Sequence, residues 1–305
     1  RILILGGSLD QLPMILEAKN RGLFVVVMDM SETCLARPNA DAFVCENISS
    51  TSSILEAAKT WQVDAIVSMI TEAGIMSAQE ACEILNLPFM CSASGARATL
   101  SKVAMRSEFD LYGFPNIPYQ KIDHLEQVSY FAEKNGFNLI LKRSSGGGQR
   151  NMHLIRSMQD LENLRQSKVD LKNYIAERII EGPEINCVYT VRNSKIQDVV
   201  LSDRITEPGA FGIVKEHRYP SSLSTSQCLK INQLCKQLNG VLGVQDGVVF
   251  PQFLFDETTG DPWLVELGVR IPGGKMDRLF YYATGVDLVH FCLDIALGEV
   301  KEYEH

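Results

Sequence analysis

The chain predicts an α/β and α+β multidomain fold in three parts: an N-terminal parallel-sheet domain, a small lid subdomain and a C-terminal antiparallel-sheet domain. Three stretches carry this expectation. The run from Arg1 to Met28 reads strand, turn, helix, strand, and its apolar runs RILIL and FVVVM suit strands buried on both faces. The stretch LILKRSSGGGQR, residues 139–150, is an apolar strand that ends in a lysine and opens into serine and glycine. Near the end, VVFPQFLF and PWLVEL flank the turn Asp256–Asp261 as an antiparallel pair.

Taken in order, Arg1–Leu5 is the first strand, Gly6-Gly7-Ser8 a tight turn and Gln11–Arg21 an amphipathic helix. Phe24–Met28 is the second strand and ends at Asp29; Asp64–Ser68 is a further strand and Ala73–Leu85 a further helix, the alternation of a doubly wound sheet. These elements set the first domain at residues 1–92. Residues 93–118 form a connecting helix and linker, with one helix expected over Arg97–Tyr112 and the two prolines of GFPNIPY marking the boundary. The lid, residues 119–180, is expected to hold a helix over Leu125–Asn135, strands at Leu139–Lys142 and His153–Arg156, a helix over Met158–Gln166 and a strand at Tyr174–Ile180. The last part, residues 181–305, begins with strands Ile185–Val191 and Ile196–Ser202. Asp203–Ser224 then reads as a long irregular loop, Gln227–Leu242 as a helix, and Tyr282–Leu297 as one closing helix.

Composition narrows the function. With 46% hydrophobic and 22% charged residues the chain is ordinary for a soluble globular protein, and its net charge of −8 argues against nucleic acid or an anionic membrane as partner. Any anion site must be local. The eight cysteines include no CxxC pair, which points to reduced thiols in a cytoplasmic protein rather than to a disulfide framework or zinc site. No run has the length of a membrane span, and the N-terminus enters a strand without a signal-peptide n-region. Numbering opens at Arg1 rather than methionine, so a residue or two is expected before it.

The glycine loop after Leu139–Lys142 can expose successive backbone N–H groups as an anion-binding concavity, with Lys142 and Arg150 adding charge. It is not a Walker A loop, since no Gly-Lys-Ser/Thr follows, and a solvated hairpin is the plain alternative. Lys102 supplies a second cation. Glu177 and Glu184 flank the end of a strand, Gln252 and Glu266 face each other across the hairpin, and Arg270 with Gly273-Gly274 follows. A nucleotide and its polyphosphate require such a set: cations and N–H groups for phosphate, a strand edge for the base, an acceptor for ribose, and oxygen ligands for Mg²⁺. A dinucleotide reading of the first turn fits poorly, because Gln11 stands where the third glycine of the fingerprint should be.

In family order, ILILGG, LSKVAMR, LILKRSSGGGQR, AERIIEGPE and FPQFLFDETTGDPWLVELGVRIPGG resemble the ATP-grasp superfamily, and within it the carboxylate–amine, or amino-acid, ligase-like enzymes. The resemblance covers essentially the whole chain. It implies the ATP-grasp fold, with a Rossmann-like N-terminal domain, and ATP and Mg²⁺ (or Mn²⁺) as cofactors. By this resemblance Lys102 and Lys142 bind phosphates, with Ser145, Gly146, Gly147 and Gly148 covering them. Glu177 meets the adenine amino group, Arg178 and Ile180 offer backbone to its ring, and Glu184 binds ribose. Gln252 and Glu266 hold metal, and Arg270, with Lys142, is catalytic. Substrate contacts are expected from Gly7, Glu72, Arg204, His217, Arg218, Gly273 and Gly274, Glu72 because it follows a parallel strand where such sheets place ligands. His124, His153 and His290 are taken as structural.

The implied reaction joins a small-molecule carboxylate, as in an amino acid, to an amine through an acyl phosphate, releasing ADP and phosphate. One departure is Gly268, where the family pattern often carries asparagine, which bears on the number of Mg²⁺ ions. An ATP-binding regulatory or assembly protein without turnover is the first alternative, and a nicotinamide-dependent oxidoreductase the second. A homodimer is expected only from the general habit of soluble enzymes. Many relatives also continue beyond the point matching His305.

Overall fold

The computed structural model describes residues 1–145, 152–207 and 213–299. Its N-terminal elements are β1 (Ile2–Leu5), α1 (Leu12–Asn20), β2 (Val25–Met28), β3 (Ala42–Val44), α2 (Thr51–Trp61), β4 (Ala65–Ser68) and α3 (Ile75–Leu85). The four strands form a parallel sheet in the order β3-β2-β1-β4, with Ile2 opposite both Val25 and Ala65. Alternation along these strands accounts for their unbroken apolar runs. Ile2, Ile4, Val25, Val27 and Val67 pack with α1 residues in one core, while Leu3, Leu5, Val26, Met28 and Ile66 pack with α2 and α3 in another. Neither β3 nor α2 was expected from the sequence; β3 is three half-buried residues, and α2 starts where the Ser50 hydroxyl accepts from Ser53 N–H.

Two helices, α4 (Ala93–Leu100) and α5 (Lys102–Tyr112), replace the single helix expected over 97–112. Ser101 makes the break: its backbone is extended and its side chain caps α5 by accepting from Ala104 N–H at 3.1 Å. Lys102 therefore opens a helix instead of lying inside one. Then come β5 (Tyr119–Ile122), α6 (Leu125–Asn135), β6 (Leu139–Arg143), β7 (His153–Ile155), α7 (Met158–Ser167) and β8 (Tyr174–Arg178), a sheet ordered β5-β8-β6-β7 with a core of its own.

The remaining elements are β9 (Glu184–Arg192), β10 (Lys195–Thr206), β11 (Val214–Arg218), α8 (Thr225–Leu242), β12 (Gly247–Phe255), β13 (Pro262–Gly268), α9 (Met276–Thr284) and α10 (Leu288–Ala296). The sheet runs β11-β10-β9-β12-β13 and is antiparallel throughout. Much of the loop expected over 203–224 is strand, because β10 continues to Thr206 and β11 pairs back on it, Arg204 opposite His217. The closing helix is two helices bent by 97°, with Gly285 in the left-handed region and Asp287 capping α10. On β9, Ile185, Cys187, Tyr189 and Val191 pack with α8, while Val188 joins the core shared with β1 and α10. Glu184 and Asn186 lie on that second face, which turns them away from α8.

Among the described residues no single helix is long and apolar enough to cross a membrane. All eight cysteines are free thiols; burial pushes those of Cys82, Cys91 and Cys292 up to about 12.

Candidate active site

Strand β6 sends Leu139 and Leu141 into the core of its own sheet and turns Ile140 and Lys142 to the opposite face. Ile140 stands opposite Glu177 on β8, so Lys142 and Glu177 are diagonal neighbours, Nζ to Oε2 at 2.6 Å. The other carboxylate oxygen of Glu177 accepts from Arg106 Nε at 2.9 Å. Arg106 comes from α5 and is 0% exposed; its Nη1 donates to Leu264 O on β13 at 2.8 Å and to Asn116 Oδ1 at 3.1 Å. Burial pushes the Glu177 carboxyl up, but the two cations beside it outweigh burial and hold it at about 2. Burial also lowers the Lys142 ammonium, with Glu177 opposing and Arg106 and Lys102 adding to the lowering.

Lys102 reaches the same place through the backbone. Its N–H donates to Ser144 O at 2.7 Å and Val103 N–H donates to the Ser144 hydroxyl at 3.2 Å, so the strand end that carries Lys142 is docked on the N-terminus of α5. Lys102, Ser101, Ser144, Ser145, Glu72 and Glu266 line a cavity of about 70 Å³ where the three sheets meet. A helix N-terminus, Lys102 and the start of a glycine loop thus face one opening, an arrangement suited to phosphate, and Lys142 lies on the strand that leads into it.

The antiparallel sheet supplies the opposite wall. Asn186, Gln252 and Glu266 are successive partners across β9, β12 and β13 and share one face. Glu184 Oε1 accepts from Gln252 Nε2 and pairs with Arg204 Nη1 at 2.6 Å, while burial, with a smaller push from Glu266, raises its carboxyl. His217 Nδ1 lies 2.9 Å from Asn186 Nδ2, and burial together with Arg204 lowers its imidazole, which keeps it neutral. Gly274 adopts φ +67°, and a Cβ there would lie 3.6 Å from His217 Nε2. Arg270 donates from Nε to Glu72 Oε1 at 3.1 Å and also binds it through Nη2, joining the last sheet to the loop after β4.

Most of the residues singled out in the sequence therefore lie in one region: Lys102, Ser145, Glu266 and Glu72 around the opening, Lys142 on the strand leading into it, Glu184, Gln252, Arg204 and His217 on the adjoining sheet, and Arg270 and Gly274 in the segment after β13. Three expectations need correction. Glu177 is committed through both oxygens to Arg106 and Lys142, so its side chain holds the lysine and is not placed to receive an adenine amino group. Arg218 follows His217 on β11, points to the other face, and makes an exposed pair with Glu216. Gly7 has its N–H taken by Asp29 Oδ2 at 2.8 Å, and Gln11 fills the turn, accepting from Ser8 N–H and Ser8 Oγ while donating to Met69 O. That closed turn also speaks against a dinucleotide there. Arg178 lies over the Trp263 ring and pairs with Asp256 at 3.6 Å, Ile180 is buried past the end of β8, and Gly273 leads into α9. Gly146, Gly147 and Gly148 fall outside the described residues.

Arg106, Asn116, Ser144 and Asn186 were missed. A signal for Arg106 was present, since it follows Lys102 by one helical turn and shares its face. Among the described residues no group of three His, Cys, Asp or Glu side chains converges as a metal cage. Glu266, an exposed carboxylate beside Gln252 and near Glu184, nevertheless fits a Mg²⁺ ion that takes one or two protein oxygens and completes its shell from phosphate.

A family model, the ATP-binding domain of the carbamoyl-phosphate synthase L chain, matches residues 102–302. The L-arginine-specific L-amino acid ligase of Bacillus subtilis is 26% identical over 257 residues, 81% of this chain and 60% of the ligase, so the chain spans about three fifths of that relative. The structure of an L-amino acid ligase from Bacillus licheniformis superposes with a TM-score of 0.80 at 20% identity, covering 99% of this chain and 75% of that one. N5-carboxyaminoimidazole synthetase from Staphylococcus aureus, complexed with ADP, superposes with a TM-score of 0.77 at 17% identity, covering 99% and 78%.

Proposed function

Because the chain belongs to the ATP-grasp superfamily, in the family of the carbamoyl-phosphate synthase L chain ATP-binding domain, we propose that it is an ATP-dependent ligase joining the carboxylate of a small molecule, an amino acid in the first instance, to an amine. The observation that carries this reading is a cavity lined by Lys102, Ser144 and Ser145 on one side and by Glu266 and Glu72 on the other, with Lys142 on the strand that ends at Ser144 and Arg270 held by Glu72. Likeness to amino-acid ligases supports the choice of substrate class.

In this reading the lysines and the N-terminus of α5 hold the ATP phosphates, and the start of the glycine loop, Ser144-Ser145, lies over them. Glu266 and Gln252 would hold a divalent ion, Mg²⁺ or Mn²⁺, which when bound would supply charge compensation to the transferring phosphoryl group. The substrate carboxylate attacks the γ-phosphate to give an acyl phosphate and ADP, and the amine then displaces phosphate. Arg270 faces the charge that develops on the carbonyl oxygen. Glu72 now occupies its guanidinium, so an incoming carboxylate exchanges with Glu72 as the partner of Arg270. Residues 1–92, 93–118, 119–180 and 181–305 serve as nucleotide-independent base, linker, lid and catalytic part.

The test is ADP release from Mg²⁺-ATP with pairs drawn from a panel of amino acids. Release that requires both an acid and an amine, and that drops at least about a hundredfold in Arg270→Met, is expected. Nucleotide binding with no such release from any pair would favour a binding protein without turnover, a reading kept open by Gly268 in place of the usual asparagine.

A further inference from the structure

We infer that Arg106 is a positioning residue for the phosphate site: it neutralises Glu177 from behind, so that the charge of Lys142 is left for the anion. The inference rests on the ATP reading above. Glu177, Arg106 and Lys142 form a buried row of three charges, with Lys142 Nζ 2.6 Å from one oxygen of Glu177 and Arg106 Nε 2.9 Å from the other. Summed, the row carries one positive charge, and Lys142 is its most exposed member, its side chain 14% exposed against 0% for Arg106.

Stability does not explain this row, because a buried ion network is commonly no more stable than apolar residues of the same volume. Arg106 does not reach a ligand in the opening, since it is 0% exposed; its Nε and Nη1 go to Glu177, Asn116 Oδ1 and Leu264 O, while Nη2 is buried without a hydrogen-bond partner among the described residues. Those partners come from β8, the linker and β13, so one side chain fixes the end of the lid strand against the last sheet. Arginine suits this task because its planar fork reaches separate acceptors at once. Without Arg106 the pair Glu177–Lys142 has no net charge, and a phosphate must compete with Glu177 for the lysine.

Nucleotide binding tests this, by calorimetric titration of Mg²⁺-ATP into wild type, Arg106→Met, Arg106→Lys, Lys142→Met and the double variant Arg106→Met/Lys142→Met. Circular dichroism melts report folding. Arg106→Met should bind ATP about tenfold or more weaker, and the double variant should be no weaker than Lys142→Met, since the arginine acts through the lysine. Arg106→Met binding within about twofold of wild type while folded, or losses that multiply in the double variant, would overturn the inference. Arg106→Lys keeps the charge and carries the test alone if the methionine variant does not fold. It should bind within about threefold of wild type, and a loss as deep as that of Lys142→Met would overturn the role.

The pH profile adds a readout that simple destabilisation would not move. ATP affinity should fall on the alkaline side as Lys142 loses its proton. Facing that lysine are Glu177 on β8 and Arg106 and Lys102 on α5, and removing the Arg106 cation should shift the fall to higher pH. An unshifted limb in folded Arg106→Met counts against the inference. Absence of acid- and amine-dependent ADP release would sink the ligase reading while leaving this binding comparison intact.

Discussion

Glu177 shows how one buried carboxylate orders a site. Its folded value of about 2 lies below the ordinary 4.5, so its contribution to stability is fully present above about pH 4.5 and is lost as pH falls through about 2. The shift corresponds to roughly 3 kcal/mol. Glu177→Gln should lower unfolding free energy at neutral pH by about 3–5 kcal/mol in urea titrations, because Arg106 and Lys142 are then buried cations without a counter-charge. It should also flatten the loss of stability between pH 4.5 and 2 relative to wild type; an unchanged acid limb would show that the carboxylate is not held as described. Chemistry of single residues was legible wherever it followed a local pattern. Lys142 at the end of an apolar strand and Gln252 opposite Glu266 across a turn were placed from the sequence. Glu177 stands out by its place at a strand end, but its pairing with Arg106 spans 71 residues of chain and no spacing rule reveals it.

At the scale of elements, misreadings came from capping residues inside apolar runs. Ser101 splits α4 from α5 and Asp287 opens α10, and in each case the apolar period continues across the break, so periodicity alone joins what the caps divide. The sequence of strand β11, VKEHR, is polar and largely exposed and so reads as loop; only pairing to β10 makes it a strand. The connection between β8 and β9 is the most constrained of these joints. Gly182 holds φ +151°, and a Cβ there would sit 1.7 Å from Phe255 O, a backbone atom that cannot turn aside. Gly182→Ala should therefore cost at least about 2 kcal/mol. Gly240, inside α8 with nothing within 4 Å of an added Cβ, is the contrast: Gly240→Ala should gain about 0.5–1 kcal/mol. Paired denaturant melts settle both, and an alanine at 182 as stable as wild type would mean that this joint relaxes freely.

For the whole molecule, the cores do not follow chain order. Ile2, Ile4, Met14 and Val25 share a core with Val188, Val248, Phe280 and Leu293, so the first strands and the last helices are packed as one body. The α5 residues Met105 and Phe109 belong to a second core with β9, α8 and β12. By contrast, the core of the β5-β8-β6-β7 sheet draws only on residues between Ile122 and Ala176 and touches neither of these. Units of this kind open separately when their buried apolar contacts are separate. Hydrogen exchange followed by mass spectrometry at rising denaturant should give peptides from β1 and from α10 one common opening free energy, despite nearly three hundred residues between them. Peptides from β6 and β8 should open at a lower one, with Arg106 and Lys102 marking where the two bodies join. Different opening energies for β1 and α10 would refute the shared body. Equal energies for all four would mean that the Arg106–Glu177 and Lys102–Ser144 links couple the lid sheet fully to the rest. An independent lid body is what the proposed reaction needs, because ATP must enter between Ser144-Ser145 of the lid and Glu266 and then be closed off from water.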